Sequence, residues 1–158
     1  MKEYLIDGNN LIGKIPKLKL LQKNEKSEAR AGIVRYLENY FTGNRGKVTL
    51  YLDGFRGEGV RSARIMIKYS DARPADEIIK RDISESRNPR NLVVISSDNE
   101  VTGFAKVCSC EVLLSEEFYR RVEGSKINSK NLKNDENIKI NELNNYKNEF
   151  EKLFGEKK

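Results

Sequence analysis

The sequence predicts an α/β fold: a three-layer α/β/α sandwich around a central, mainly parallel sheet, followed by a C-terminal helix. Two observations carry that expectation. Short runs rich in β-branched and aromatic residues alternate with amphipathic helical patterns, and the 158 residues suffice for one such core but not for two. Hydrophobic residues make up 37% and charged residues 34%, a balance that fits a globular chain better than a membrane-embedded or disordered one.

Strands are expected at residues 3–6, 47–52, 64–69 and 92–96, with a weaker fifth at 111–114. A first helix at residues 27–41 places Ala29, Ile33, Leu37 and Tyr40 or Phe41 along one face, and Gly43 ends it. A second opens at Pro74, carries Ala75, Ile78, Ile79 and Ile83 inward, and stops at Asn88 and Pro89. A third is expected from about Asn99 to Val107. A fourth starts at Ser115, with Glu116 and Glu117 in its first turn, and runs to about Val122. Beyond Gly124 the composition turns to Ser, Lys and Asn, which indicates a loop or linker. Ile140, Leu143, Tyr146, Phe150 and Leu153 then recur at spacings of three and four, the pattern of an amphipathic helix. The expected division is therefore a domain at residues 1–124 and a Lys/Asn-rich linker with its helix at 125–158. For that helix, docking on its own domain is favoured over a homodimer or other partner contact.

The chain contains no histidine, which excludes Ser/His and Cys/His nucleophile pairs, imidazole bases and His-ligated zinc. Chemistry must then rest on carboxylates, lysines, hydroxyls or a metal. Cys108 and Cys110 are too close in sequence for an ordinary disulfide and are expected as buried or half-buried thiols. A net charge of +6 favours a polyanionic partner. The N-terminal segment lacks the apolar stretch of a signal peptide and no run is long enough to span a bilayer, so a cytoplasmic location without membrane contact is expected.

Three expected strands run directly into aspartates: Asp7, Asp53 and Asp98. In a parallel sheet these ends share one edge, where open α/β folds place ligands. Asp76, in the first turn after Pro74, can face the same edge. Any one such aspartate could simply cap a helix or turn the chain. Several together repel one another unless a cation lies between them, and an all-oxygen donor set selects Mg²⁺ or Mn²⁺ for phosphodiester hydrolysis. Glu77 and Asp82 are expected on a solvated helix face, while Glu100 remains open. The loop at 54–64 brings Arg56, Arg61 and Arg64 next to Asp53, and Lys68, Tyr69, Arg73, Lys80 and Arg81 add charge nearby. These arginines could grip a phosphate backbone or be solvated, and Phe55 could stack on a base. The loop lacks the lysine and hydroxyl of a Walker motif.

The segments YLIDGNNLIG, VTLYLDGFRG, SDARPADEIIKRDI, LVVISSDNEV and EVLLSEEF, in that order, resemble the NYN domain of the PIN-like nuclease superfamily, specifically its YacP-like branch. The resemblance spans roughly residues 3–122. It implies a PIN-like fold and a metal-dependent acidic site that cuts RNA, with mRNA or ribosome-associated RNA as candidate substrates. By position Asp7, Asp53, Asp76 and Asp98 match the metal-binding acids, and Asn10 matches an asparagine that orients Asp7 or a water. Ser97 and Glu100 flank Asp98, where Glu100 stands in place of a second aspartate.

Two other aspartate-based folds are disfavoured. A haloacid-dehalogenase phosphatase needs an aspartate where Asn9 stands, and a receiver domain needs paired acids after its first strand. The rival from another class is a catalytically inactive RNA-binding or ribosome-associated module. A nuclease toxin is a third.

Overall fold

The computed structural model describes residues 1–57 and 59–154. From the N-terminus, β1 (Glu3–Asp7) leads into a short α1 (Gly8–Ile12), then α2 (Pro16–Asn24) and α3 (Lys26–Phe41). Strands β2 (Lys47–Leu52) and β3 (Met66–Tyr69) follow, then α4 (Ala75–Glu85), β4 (Leu92–Ile95), α5 (Asn99–Val107), β5 (Glu111–Leu113) and α6 (Ser115–Phe154). All strand pairs are parallel, and the sheet order is β3-β2-β1-β4-β5. Winding therefore proceeds outward from β1 in one direction to β3, and reverses between β1 and β4.

Burial explains why these runs form central strands. Every residue of β4 and every residue of β2 after Lys47 is buried, as a parallel sheet covered on both faces requires. On one face Leu5, Tyr51 and Val94 pack with Ala75, Ile79 and Ile83 of α4 and with Val101 and Ala105 of α5. On the other, Tyr4 lies 4.9 Å from Phe41 of α3 by ring centroids, and Phe41 lies 6.2 Å from Phe118. The helix stripe expected from sequence, Ala29, Ile33, Leu37 and Phe41, is fully buried. Three layers result, as expected. Cys110 is buried and Cys108 half-buried, again as expected.

Four features depart from the expectation. Helices α1 and α2 were not anticipated, because five and nine residues give too few turns for a helical period to stand out. Strand β3 starts at Met66 and not at Arg64, whose guanidinium instead donates to the carbonyls of Asn44 and Gly46, each at 2.7 Å. Pro74 precedes α4 as its N-cap with extended backbone, so the helix begins at Ala75. The residues between Gly124 and Ile140, expected as a loop or linker, are helical, so the helix expected from Ser115 and the one expected from Ile140 are a single α6 as far as Phe154. That stretch has no proline and many good helix formers, and one interior glycine costs only about 1 kcal/mol against alanine. Its polarity signalled solvation, which a helix satisfies as well as a loop does.

The chain divides into two compact units, the first ending at Arg120 and the second beginning at Arg121. In the second, Ile140 and Leu143 are exposed, and the side chains of Tyr146, Phe150 and Leu153 lie outside the described residues. Among the described residues no helix is long and apolar enough to cross a membrane.

Candidate active site

The reversal of winding places the C-terminal ends of β1 and β4 side by side, the position at which an open parallel sheet forms its crevice. Asp7 is the last residue of β1 and pairs in register with Tyr51. It is 8% exposed, and Ser96, the residue after β4, donates its hydroxyl to Asp7 Oδ2 at 2.8 Å. Burial raises the Asp7 carboxyl from the usual 3.8 to about 6. The Ser96 hydroxyl and the Asn10 backbone N–H act against that rise, and the charges of Asp53 and Asp98 add to it. Gly8 makes this corner possible: a Cβ there would lie 2.5 Å from the carbonyl oxygen of Tyr51.

Asp53 stands one residue past β2 and is exposed. Its Oδ1 accepts the amide of Ala75 at 2.8 Å, tying the strand end to the start of α4. Its own amide donates to Asn9 Oδ1 at 3.0 Å, and its carbonyl accepts from Arg30 Nη2. Gly54 then turns the chain at φ +85°, a conformation that glycine adopts without strain. Asp98 caps α5, its Oδ1 accepting the amides of Glu100 and Val101 at 2.9 and 3.2 Å. Its amide in turn donates to Ser96 Oγ. One serine hydroxyl therefore bridges the two strand ends.

Asp76 is half-buried and adjoins the cluster through Ala75, whose amide holds Asp53; its own Oδ1 accepts the amide of Glu77. Asn10 spans the crevice differently, with Oδ1 accepting the Ser97 amide at 2.9 Å and the Ser115 hydroxyl at 2.7 Å. Ser97 Oγ donates to Glu116, which holds that carboxyl below its ordinary value. Glu100 is exposed and pairs with Lys80 at 3.2 Å.

The candidate RNA-gripping residues separate into two groups. Arg64 is committed to loop carbonyls and Lys80 to Glu100, whereas Arg56, Arg61 and Arg73 are exposed. Glu77 is exposed, as expected. Asp82 is not on a solvated face: its side chain is 14% exposed and accepts from Tyr51 Oη at 2.6 Å and from Lys68 Nζ at 2.7 Å. Asn9, Arg30, Ser96, Ser115 and Glu116 were missed. Asn9 and Ser96 lie within the strand-end motifs and could have been noticed there. Arg30 looks like any solvated helix arginine, and only the fold turns it toward the Asp53 turn.

The donor set is all oxygen. Among the described residues no three of Asp, Glu and Cys stand close enough to form a ready-made cage for an ion.

A profile of the YacP-like NYN domain matches residues 4–155. The chain belongs to this family. The YacP-like NYN fold is also evident in solved structures. Rae1 (YacP) from Bacillus subtilis matches at a TM-score of 0.69 and 21% identity, over 98% of this chain and 92% of that one. Its W164L mutant matches at 0.69 and 23%, over 81% and 79%. No curated protein sequence matches the chain. In this YacP-like chain the acids lie at the C-terminal sheet edge, Asp53 and Asp98 close enough to Asp7 for their charges to add to the rise of its carboxyl.

Proposed function

We propose that the protein is a divalent-metal-dependent endoribonuclease that hydrolyses RNA phosphodiester bonds at the edge formed by β1, β2 and β4. The observation that carries this is the Asp7 carboxyl, buried and raised to about 6 beside Asp53 and Asp98. Burying a carboxyl at the end of a parallel strand, with two further acids at the neighbouring strand ends, costs the fold stability, and such an arrangement is characteristic of working sites. Membership of the YacP-like NYN family supports the same reading.

Asp7, Asp53, Asp76 and Asp98 are the residues that would hold Mg²⁺ or Mn²⁺, with Glu100 at the rim. When bound, the ion supplies charge at the scissile phosphodiester. The chain's own groups do the positioning. Ser96 fixes Asp7, the start of α4 fixes Asp53, and the first turn of α5 fixes Asp98. Asn10 holds the β1 corner against Ser97 and Ser115. Exposed Arg56, Arg61 and Arg73 attract the RNA backbone. Residues 1–124 form the nuclease domain.

The test incubates purified protein with end-labelled single-stranded and structured RNA in Mg²⁺, Mn²⁺ or EDTA, beside an Asp98→Asn variant. Asparagine caps helices as well as aspartate does, so the variant keeps the start of α5 and loses only a charge. Metal-dependent cleavage by the wild type and none by the variant is expected. Binding without wild-type-specific cleavage would sink the enzyme and leave an RNA-binding module.

A further inference from the structure

A cavity of about 270 Å³ opens beside Asp53, and among the residues lining it are Asn9, Gln22, Lys26, Arg30, Asp53 and Phe55. It adjoins the acid cluster through Asp53, yet most of its wall comes from α1, α2 and the start of α3. Its size falls just below the roughly 300–1,000 Å³ of pockets that enclose drug-sized ligands, so it suits a single planar ring system.

Phe55 is 66% exposed, but its main chain is fixed: Arg30 Nη1 donates to the Phe55 carbonyl at 3.0 Å and Nη2 to that of Asp53. Arg30 is itself held over the Tyr69 ring at 5.3 Å. An aromatic ring presented to water on an anchored turn is an unused stacking platform. The side chains of Gln22 and Lys26 make no hydrogen bond or ion pair among the described residues. An aromatic face, a free amide and a free ammonium together match the face, the edge and the adjoining phosphate of one nucleotide.

We propose that this pocket receives an unpaired nucleobase of the RNA strand, next to the phosphodiester that lies over the acids. This rests on the RNA reading of the site. Phe55 stacks on the base, the Gln22 amide hydrogen-bonds its edge, and Lys26 neutralises the adjoining phosphate. The base must leave its neighbours to enter, so the site selects single-stranded over duplex RNA.

The experiment uses the full chain carrying Asp98→Asn, in Mg²⁺, and measures its affinity for labelled single-stranded RNAs with one abasic nucleotide at successive positions. One position is expected to cost roughly tenfold in Kd, the worth of a stacked base. Adding Phe55→Ala should abolish that position-specific penalty, and Phe55→Trp should restore it. Phe55 is exposed, so these changes leave the fold intact, which thermal melting checks. An abasic profile identical with and without Phe55, or affinity unchanged by Phe55→Ala, overturns the proposal. Cleavage is not read here. A protein that never cuts RNA but shows the Phe55-dependent penalty keeps the subsite and loses the nuclease; one that cuts without the penalty does the reverse.

Discussion

Burial and the charges of Asp53 and Asp98 hold the Asp7 carboxyl at about 6 against the usual 3.8, so the folded chain binds a proton that the unfolded chain releases earlier. Between roughly pH 4 and pH 6 the folded state carries more protons. Stability contributed by this group therefore falls as pH rises through that window and is lost above it. The full loss is roughly 3 kcal/mol at 1.36 kcal/mol per unit. Asp7→Asn removes the dependence. In EDTA the variant should be more stable than wild type near neutral pH, with the difference shrinking toward pH 4, and in Mg²⁺ its cleavage is abolished. Urea midpoints across the window check this, and a pH-independent difference would show that Asp7 is not strained by its charge. Asp98→Asn should behave otherwise, losing cleavage with a stability change under about 0.5 kcal/mol, because the cap survives.

Elements meet at the site through contacts that tolerate little change. Gly8 lets α1 start directly against β2, and Gly8→Ala would push a methyl group into the Tyr51 carbonyl, a backbone atom that cannot swing aside. A cost of about 1–3 kcal/mol is expected, with weaker cleavage because Asp7 is the neighbouring residue. A urea midpoint equal to wild type would refute it. On the α4 side, Asp82 ties β2 and β3 to the helix by accepting from Tyr51 and Lys68. Burial works to raise its pKa, but these hydrogen bonds and the charges of Lys68 and Arg81 hold it below the usual value. Its contribution thus has the opposite sign to that of Asp7, present above the ordinary carboxylate range and lost on acidification. Asp82→Ala leaves a buried hydroxyl and a lysine without their acceptor and should cost about 1–3 kcal/mol at neutral pH. A loss below about 0.5 kcal/mol in chemical denaturation would show the network to be dispensable.

At the scale of the whole molecule, a net charge of +6 makes affinity for RNA a matter of counterion release. Binding should weaken steeply with salt, each phosphate contact adding about 0.7 to the logarithmic slope for a single strand. A flat salt dependence would remove the polyanion from the account. The first compact unit ends at Arg120 and contains every strand and every proposed acid. A chain ending after Gly124 should therefore unfold cooperatively and keep metal-dependent cleavage. Circular dichroism melting together with the RNA assay tests this, and an unfolded fragment would place residues 125–158 within the folding unit.

The alternation of apolar runs and helical stripes in this sequence determined the parallel α/β fold, because strands buried on both faces must be continuous apolar runs and the helices that cover them must carry an apolar stripe. The strand-end aspartates were visible for the same reason: each ends or closely follows an apolar run, and parallel pairing brings those ends to one edge. Where period and composition are weak, only the tertiary structure could decide. The short α1 and α2 complete too few turns to leave a pattern, and the polar stretch after Gly124 reads alike as loop or as helix. Arg30, Asp82 and Ser115 are ordinary polar residues in the sequence. They became structural only when distant carbonyls, a lysine and an asparagine were folded against them, since a hydrogen bond across many residues has no local signature.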